Sequence, residues 1–164
     1  MYSKQEAALL TQQFWTAFGG YIAPVLSAEG EKINWINYKT GEKGIRFIMT
    51  VDNKEAVIAI ILSQKDIALQ KIYFDKFIQL KKILRESTGL EWLWEPLVSD
   101  QHEKTISRIY AVLPGVNILS KPDWPAIISF FKPRLIALDK FWCEYKYAFE
   151  HLTPGADKKV ISNG

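Results

Sequence analysis

One short stretch gathers more chemistry-bearing side chains than any other: Trp35-Ile36-Asn37-Tyr38-Lys39-Thr40-Gly41, continuing to Lys43, Gly44 and Arg46. Aromatic faces, amides and cations around a tight turn can hold an anion or stack a base, because cations neutralise phosphate while rings offer a π-surface. The same residues also fit an ordinary role, with Trp35 in the core, Asn37 fastening the turn and the lysines solvated. Arg108 and Arg134 add two further candidates, in Ile-Ser-Arg-Ile-Tyr and Lys-Pro-Arg-Leu-Ile. Each suits an anion or, by default, an internal salt bridge. Arg134 and Asp139 are five apart, a poor helical pair, so Arg134 is expected to find its partner outside its own helix.

The side chains needed for catalysis do not assemble in the sequence. His102 and His151 have no His or Cys at ligand spacing, so no metal site is expected. Gly41-Glu42-Lys43-Gly44 lacks the strand, spacing and Ser/Thr of a phosphate loop and reads as a hairpin turn. Ser63, ahead of Asp66, reads as helix-entry capping rather than a nucleophile on an elbow. Asp52, Glu55 and Asp66 suit turns and caps better than Mg²⁺. Cys143 lies in a periodic apolar segment and reads as a reduced core thiol. No catalytic residue, metal or cofactor is expected.

Several elements must position the candidates. Ser3 with Glu6 forms a capping-box pattern, and Ala7, Leu10, Phe14 and Phe18 follow at helical spacing up to Gly19-Gly20. Residues 33–38 alternate in part and suggest a short strand. Ile45, Phe47, Met49 and Val51 mark a half-buried strand, and Asp52-Asn53-Lys54 reverses the chain. Ala56 to Leu62 is apolar without interruption, as a strand buried on both faces in mid-sheet would be. Asp66 caps a helix running to Gly89, with Lys71, Lys76, Lys81, Lys82 and Arg85 on its basic side.

Trp92 to Val98 and Thr105 to Leu113 then read as a second hairpin, the first strand placed at an edge by Pro96. Asp123 caps a last helix through Phe149, which Pro133 is expected to kink or split. Short turns between strands favour antiparallel pairing. The expectation is therefore α+β: a mainly antiparallel sheet of four to five strands with three main helices, ordered helix, hairpins, helix, hairpin, helix. Residues 1–152 form one domain in this reading, and 153–164 a flexible tail.

With 164 residues, 48% hydrophobic and 24% charged, the composition is that of a globule able to bury its own core, which excludes disorder and a disulfide scaffold. A net charge of +3 permits an anionic partner without requiring one. The longest apolar run is far short of a membrane span, and the first ten residues do not resemble a signal peptide. A cytoplasmic protein with no membrane partner is expected.

Phe14-Trp15, Trp35 to Gly41, Ser107-Arg108-Ile109-Tyr110, Asp123-Trp124-Pro125 and Phe130 to Asp139 together resemble the bacterial domain of unknown function 4268 family, over roughly Gln12 to Glu150. Members of that family occur alone or C-terminal to restriction-endonuclease-like domains. The resemblance thus implies a link to nucleic acid or to bacterial defence, without naming catalytic residues. A nuclease of that type needs an acid and an acid-x-lysine motif on adjacent strands. Here the buried strand ends Ile61-Leu62-Ser63-Gln64-Lys65, without the acid.

Two classes follow. The first is a non-catalytic nucleic-acid-associated binding or accessory module using Trp35, Asn37, Tyr38, Lys39, Lys43 and Arg46, with Arg108 and Arg134 as further binding candidates. The second is a protein-interaction or self-association module, its partner another protein or itself. A nuclease-like enzyme ranks third.

Overall fold

A computed structural model describes residues 2–152; the expected tail at 153–164 lies outside them. Helix α1, Lys4–Ile22, begins where the Ser3 hydroxyl accepts the Glu6 amide, and it buries Phe14, Phe18 and Ile22. Strand β1, Ile45–Val51, turns at Asp52 into β2, Glu55–Leu62. The Asp52 carboxylate accepts the amides of Lys54 and Glu55, which holds the reversal and lowers the carboxyl pKa.

Helix α2, Ile67–Gln79, is capped by Asp66. Helix α3, Lys81–Thr88, ends on Gly89, whose φ of 72° is the left-handed cap that glycine adopts without Cβ strain. Strand β3, Leu93–Ser99, pairs with β4, Thr105–Pro114, and helix α4, Trp124–Tyr145, follows.

The four strands lie in the order β1-β2-β4-β3, every neighbouring pair antiparallel. The chain is α+β, as its turns and periodicities predict. β3 is an edge strand, where Pro96 removes no needed donor. Pro96 and Leu97 together oppose the single residue Ser107, and Leu97 (φ 50°) donates its amide to the Ser107 hydroxyl at 3.0 Å. This bulge bends the edge away from straight pairing.

Four expectations need correction. Residues 33–38 form no strand. Their anchors are side chains: the Trp35 indole donates to the Val25 carbonyl, and the Asn34 carboxamide oxygen accepts the Asn37 amide. The helix expected from Asp66 to Gly89 is two helices, broken at Leu80 (φ −98°, ψ 9°). Leu80 packs against the core there, and the break makes four α-helices among the described residues rather than three.

Pro133 does not split α4, which runs through it. Proline lacks the N–H that would reach the Ser129 carbonyl four residues back, and the Arg134 guanidinium donates to that oxygen instead, at 3.3 Å. The partner of Arg134 is therefore inside its own helix.

Side chains alternate across the sheet, and the register sorts them. Phe47, Ile60 and Ile109 share one face, as do Ile45, Leu62 and Ser107 one rung along. The helices pack on this face: Trp142 of α4 meets Phe47 edge-on, and Phe74 of α2 meets Trp94 of β3. The buried apolar residues there form one cluster that continues through Phe14, Phe18 and Phe131 of α1 and α4.

A buried polar seam closes the end of this layer. The Gln70 amide nitrogen donates to the carbonyls of Gln64 and Thr105, and its oxygen accepts the Ser107 hydroxyl at 2.7 Å. The opposite face carries Ile48, Ala59 and Tyr110 in one rung, with Val57 and Val112 in the next. Ala59 and Ile61 are only 3% and 7% exposed, yet neither belongs to the main cluster. β2 is central as expected, and among the described residues the helix side chains of the main cluster pack on its other face.

Candidate functional site

The loop from Ser27 to Thr40 and the last turns of α4 enclose a cleft of about 340 Å³. Its floor is organised by Asp139, which is 2% exposed. One carboxylate oxygen accepts the Tyr38 hydroxyl at 2.6 Å and the Cys143 thiol at 3.5 Å, and the other accepts the Ala28 amide at 2.7 Å. A buried carboxylate persists when hydrogen bonds replace its water, and here the donors come from both walls. The Trp142 indole adds a bond to the Thr40 carbonyl at 2.7 Å, and Lys146 pairs with Glu29 at the rim at 2.9 Å.

The electrostatics set what these groups can do. Burial, then the neighbouring Asp139, pushes the Cys143 thiol up to about 12, so it stays protonated at neutral pH and is a poor nucleophile. Burial and the bond to Asp139 likewise hold the Tyr38 phenol far above its usual range. At the rim, the hydrogen bond from Lys146 lowers Glu29. The cleft offers hydrogen-bond donors and acceptors, with Asn37 and Lys39 at its lining, rather than an activated nucleophile. Among the described residues, no three His, Cys, Asp or Glu side chains converge as a metal-holding group.

The candidates from the sequence separate in space. Asn37, Tyr38 and Lys39 meet in this cleft. Trp35 is 2% exposed, its ring 6.2 Å from that of Tyr38, so it supports the cleft from the core. Lys43 is exposed on the turn beside Glu42, which accepts the Tyr73 hydroxyl at 2.8 Å. Burial first, then that bond, raises Tyr73 to about 12. Arg46 stands exposed on β1, on the sheet face that no described helix covers, in one rung with Ile61 and Arg108. Arg108 pairs with Glu95 across β3 and β4 and lies 4.2 Å from the Tyr110 ring centre. Arg134 bonds Ser129 and sits 5.7 Å from the Phe130 ring centre.

Asp139 and Cys143 are central to the cleft and were not candidates. Their signal is an acid on the apolar stripe of α4, beside Leu135 and Leu138 and four residues before Cys143, where a lone carboxylate needs buried donors.

A second groove, about 320 Å³, runs between α3 and the start of β3. Lys81, Lys82 and Arg85 line it together with Trp92 and Trp94. The Lys81 ammonium lies 5.3 Å from the Trp94 ring centre, while Arg85 faces Glu91 at 3.6 Å in an exposed pair. The Trp92 indole is tied to the Thr88 hydroxyl at 2.9 Å, which fixes the groove's inner wall. These cations are part of the basic side expected for the helix from Asp66.

Helices packed on an antiparallel sheet, with one polar cleft and one basic, aromatic groove, define an α+β domain. The chain belongs to the family described as Domain of unknown function (DUF4268), whose model matches residues 10–146. No curated protein and no solved structure matches it. None of the described helices is long and apolar enough to cross a membrane.

Proposed function

We propose that the domain is a non-catalytic, nucleic-acid-associated binding module that takes single-stranded nucleic acid along the groove of α3. One observation carries this reading: Lys81, Lys82 and Arg85 project into the same groove as Trp94. Cations that track phosphates beside a ring that can stack a base are the two components of sequence-tolerant single-strand binding. The Arg85–Glu91 pair is exposed and so releases its cation at little cost. The segment from Trp35 to Arg46 contributes less in this reading, since Trp35 is in the core and offers no free ring face.

Three phosphate contacts give single-strand affinity a log–log salt slope near −2, or about twentyfold weaker binding between roughly 50 and 200 mM salt. Anisotropy of a labelled single-stranded oligonucleotide tests this. Lys82→Ala with Arg85→Ala is expected to weaken binding and to cut that salt effect to about threefold, while Lys39→Ala with Lys43→Ala leaves both nearly unchanged. Absence of binding at the lower salt, or indifference to the Lys82 and Arg85 changes, would overturn the reading.

A further inference from the structure

The sheet face that no described helix covers presents apolar side chains beside one charged rung. Ile48, Val57, Ala59, Ile61, Tyr110 and Val112 occupy adjacent positions across β1, β2 and β4. None of them joins the main core cluster. Four strands about 4.8 Å apart and seven residues of about 3.3 Å give the face roughly 440 Å². Within that footprint the apolar surface left open comes from Ile48, Val57, Tyr110 and Val112, each half-buried, since Ala59 and Ile61 are buried.

Two features decide what covers it. The first is that the ring of Tyr110, the aromatic residue among these six, already carries the Arg108 guanidinium, which Glu95 holds in place. That cluster fixes the charge at this end of the face, so a partner has to match it. The second is the arrangement of charge. The register places Arg46, Ile61, Arg108 and Glu95 in one rung, with Arg46 on the β1 edge and Glu95 on the β3 edge. Arg46 has no ion-pair partner among the described residues.

We propose that this face packs against the same face of a second copy of the chain, about a two-fold axis parallel to the strands. That axis sets β1 of each copy over β3 of the other and brings Arg46 opposite the partner's Glu95, twice per dimer. A two-fold across the strands, through the Ala59 rung, would instead set Arg46 over Thr50 and leave the charge unmatched. The aligned stacking of two sheets about 10 Å apart then covers the half-buried Ile48, Val57, Tyr110 and Val112 of each copy, over Ala59 and Ile61, which are already buried in the single chain. The contact, roughly 900 Å² in total, is smaller than a standard stable interface of about 1,600 Å², so the dimer is weak and reversible, with a dissociation constant on the order of 100 μM.

The proposal is independent of the oligonucleotide reading, whose groove lies on α3, and the two can fail separately. Sedimentation velocity of the full chain from about 1 to 200 μM is expected to show a monomer–dimer equilibrium. Arg46→Glu sets glutamate against glutamate and Glu95→Arg sets arginine against arginine, so each variant alone is expected to dimerise at least tenfold more weakly. Mixed together, the two restore both opposite-charge contacts and are expected to recover a heterodimer of near wild-type affinity. Circular dichroism confirms that each variant is folded. A chain that stays monomeric throughout would overturn the proposal, as would a dimer that Arg46→Glu leaves intact or a mixture with no recovery. Monomers whose oligonucleotide binding is lost in Arg46→Glu would assign the face to nucleic acid instead, and would equally overturn it.

Discussion

The two faces of the sheet are built from the same four strands by the same alternation, yet they come to different ends. On one face, Phe47, Ile58, Ile60 and Ile109 meet aromatic side chains from the helices and sink into one core. On the other, Ile48, Val57 and Val112 remain half-buried with no helix over them among the described residues, and Arg46, Arg108 and Glu95 stand around them. Apolar content alone therefore does not separate the core face from the face that no described helix covers. The difference lies in what the connecting segments supply: α2 and α4 deliver their rings to the first side, and α3 adds Leu84.

The sharpest way to break this comparison is to truncate one large apolar side chain on each side. Phe77 is fully buried, 4.5 Å from the Phe149 ring centre, and Phe77→Ala is expected to cost about 3–5 kcal/mol by urea unfolding. Ile48→Ala, measured in dilute monomer, is expected to cost about 1 kcal/mol or less. Similar losses at the two sites would mean that both faces are core.

A smaller effect is expected in the α4 cleft, where Asp139→Ala leaves the Tyr38 hydroxyl and the Ala28 amide without their acceptor. The expected cost is about 2–3 kcal/mol of unfolding free energy, from unsatisfied buried donors rather than lost apolar area. Tyr38→Phe, which removes one donor and leaves the carboxylate its Ala28 bond, should cost less, and a larger loss for Tyr38→Phe would contradict the role assigned to Asp139.

Much of the first face was legible in the sequence. The alternation of Ile45, Phe47, Met49 and Val51, the uninterrupted run from Ala56 to Leu62 and the edge signal of Pro96 are local patterns, and each element follows from them. What the pattern leaves out is long-range. The uninterrupted β2 run predicts burial on both sides but is silent on whether helices or neighbouring strand residues provide it. Asp139 bonds Ala28 and Tyr38 across 111 and 101 residues, a pairing no spacing rule reveals.

Side-chain substitution for backbone bonds explains two of the corrections. Arg134 repairs the gap that Pro133 makes in α4, and Trp35 and Asn34 anchor a loop whose alternation resembles a strand. The break at Leu80 involves neither glycine nor proline, so no breaker residue announced it. Of the binding candidates, Asn37, Tyr38 and Lys39 share a cleft because they are neighbours in the chain, whereas Arg46 and Arg108 come together only through strand order.

The contrast between the faces is tested most directly by the access of a soluble paramagnetic probe to methyl groups in NMR spectra, at about 20 μM and again at several hundred micromolar protein. In dilute protein, the methyls of Ile48, Val57 and Val112 should broaden strongly while those of Ile58, Ile60 and Ile109 do not. At high concentration the first group should become protected as the copies associate. Protection of both groups at the lower concentration would contradict the account, because it would mean that the second face is already closed within the monomer.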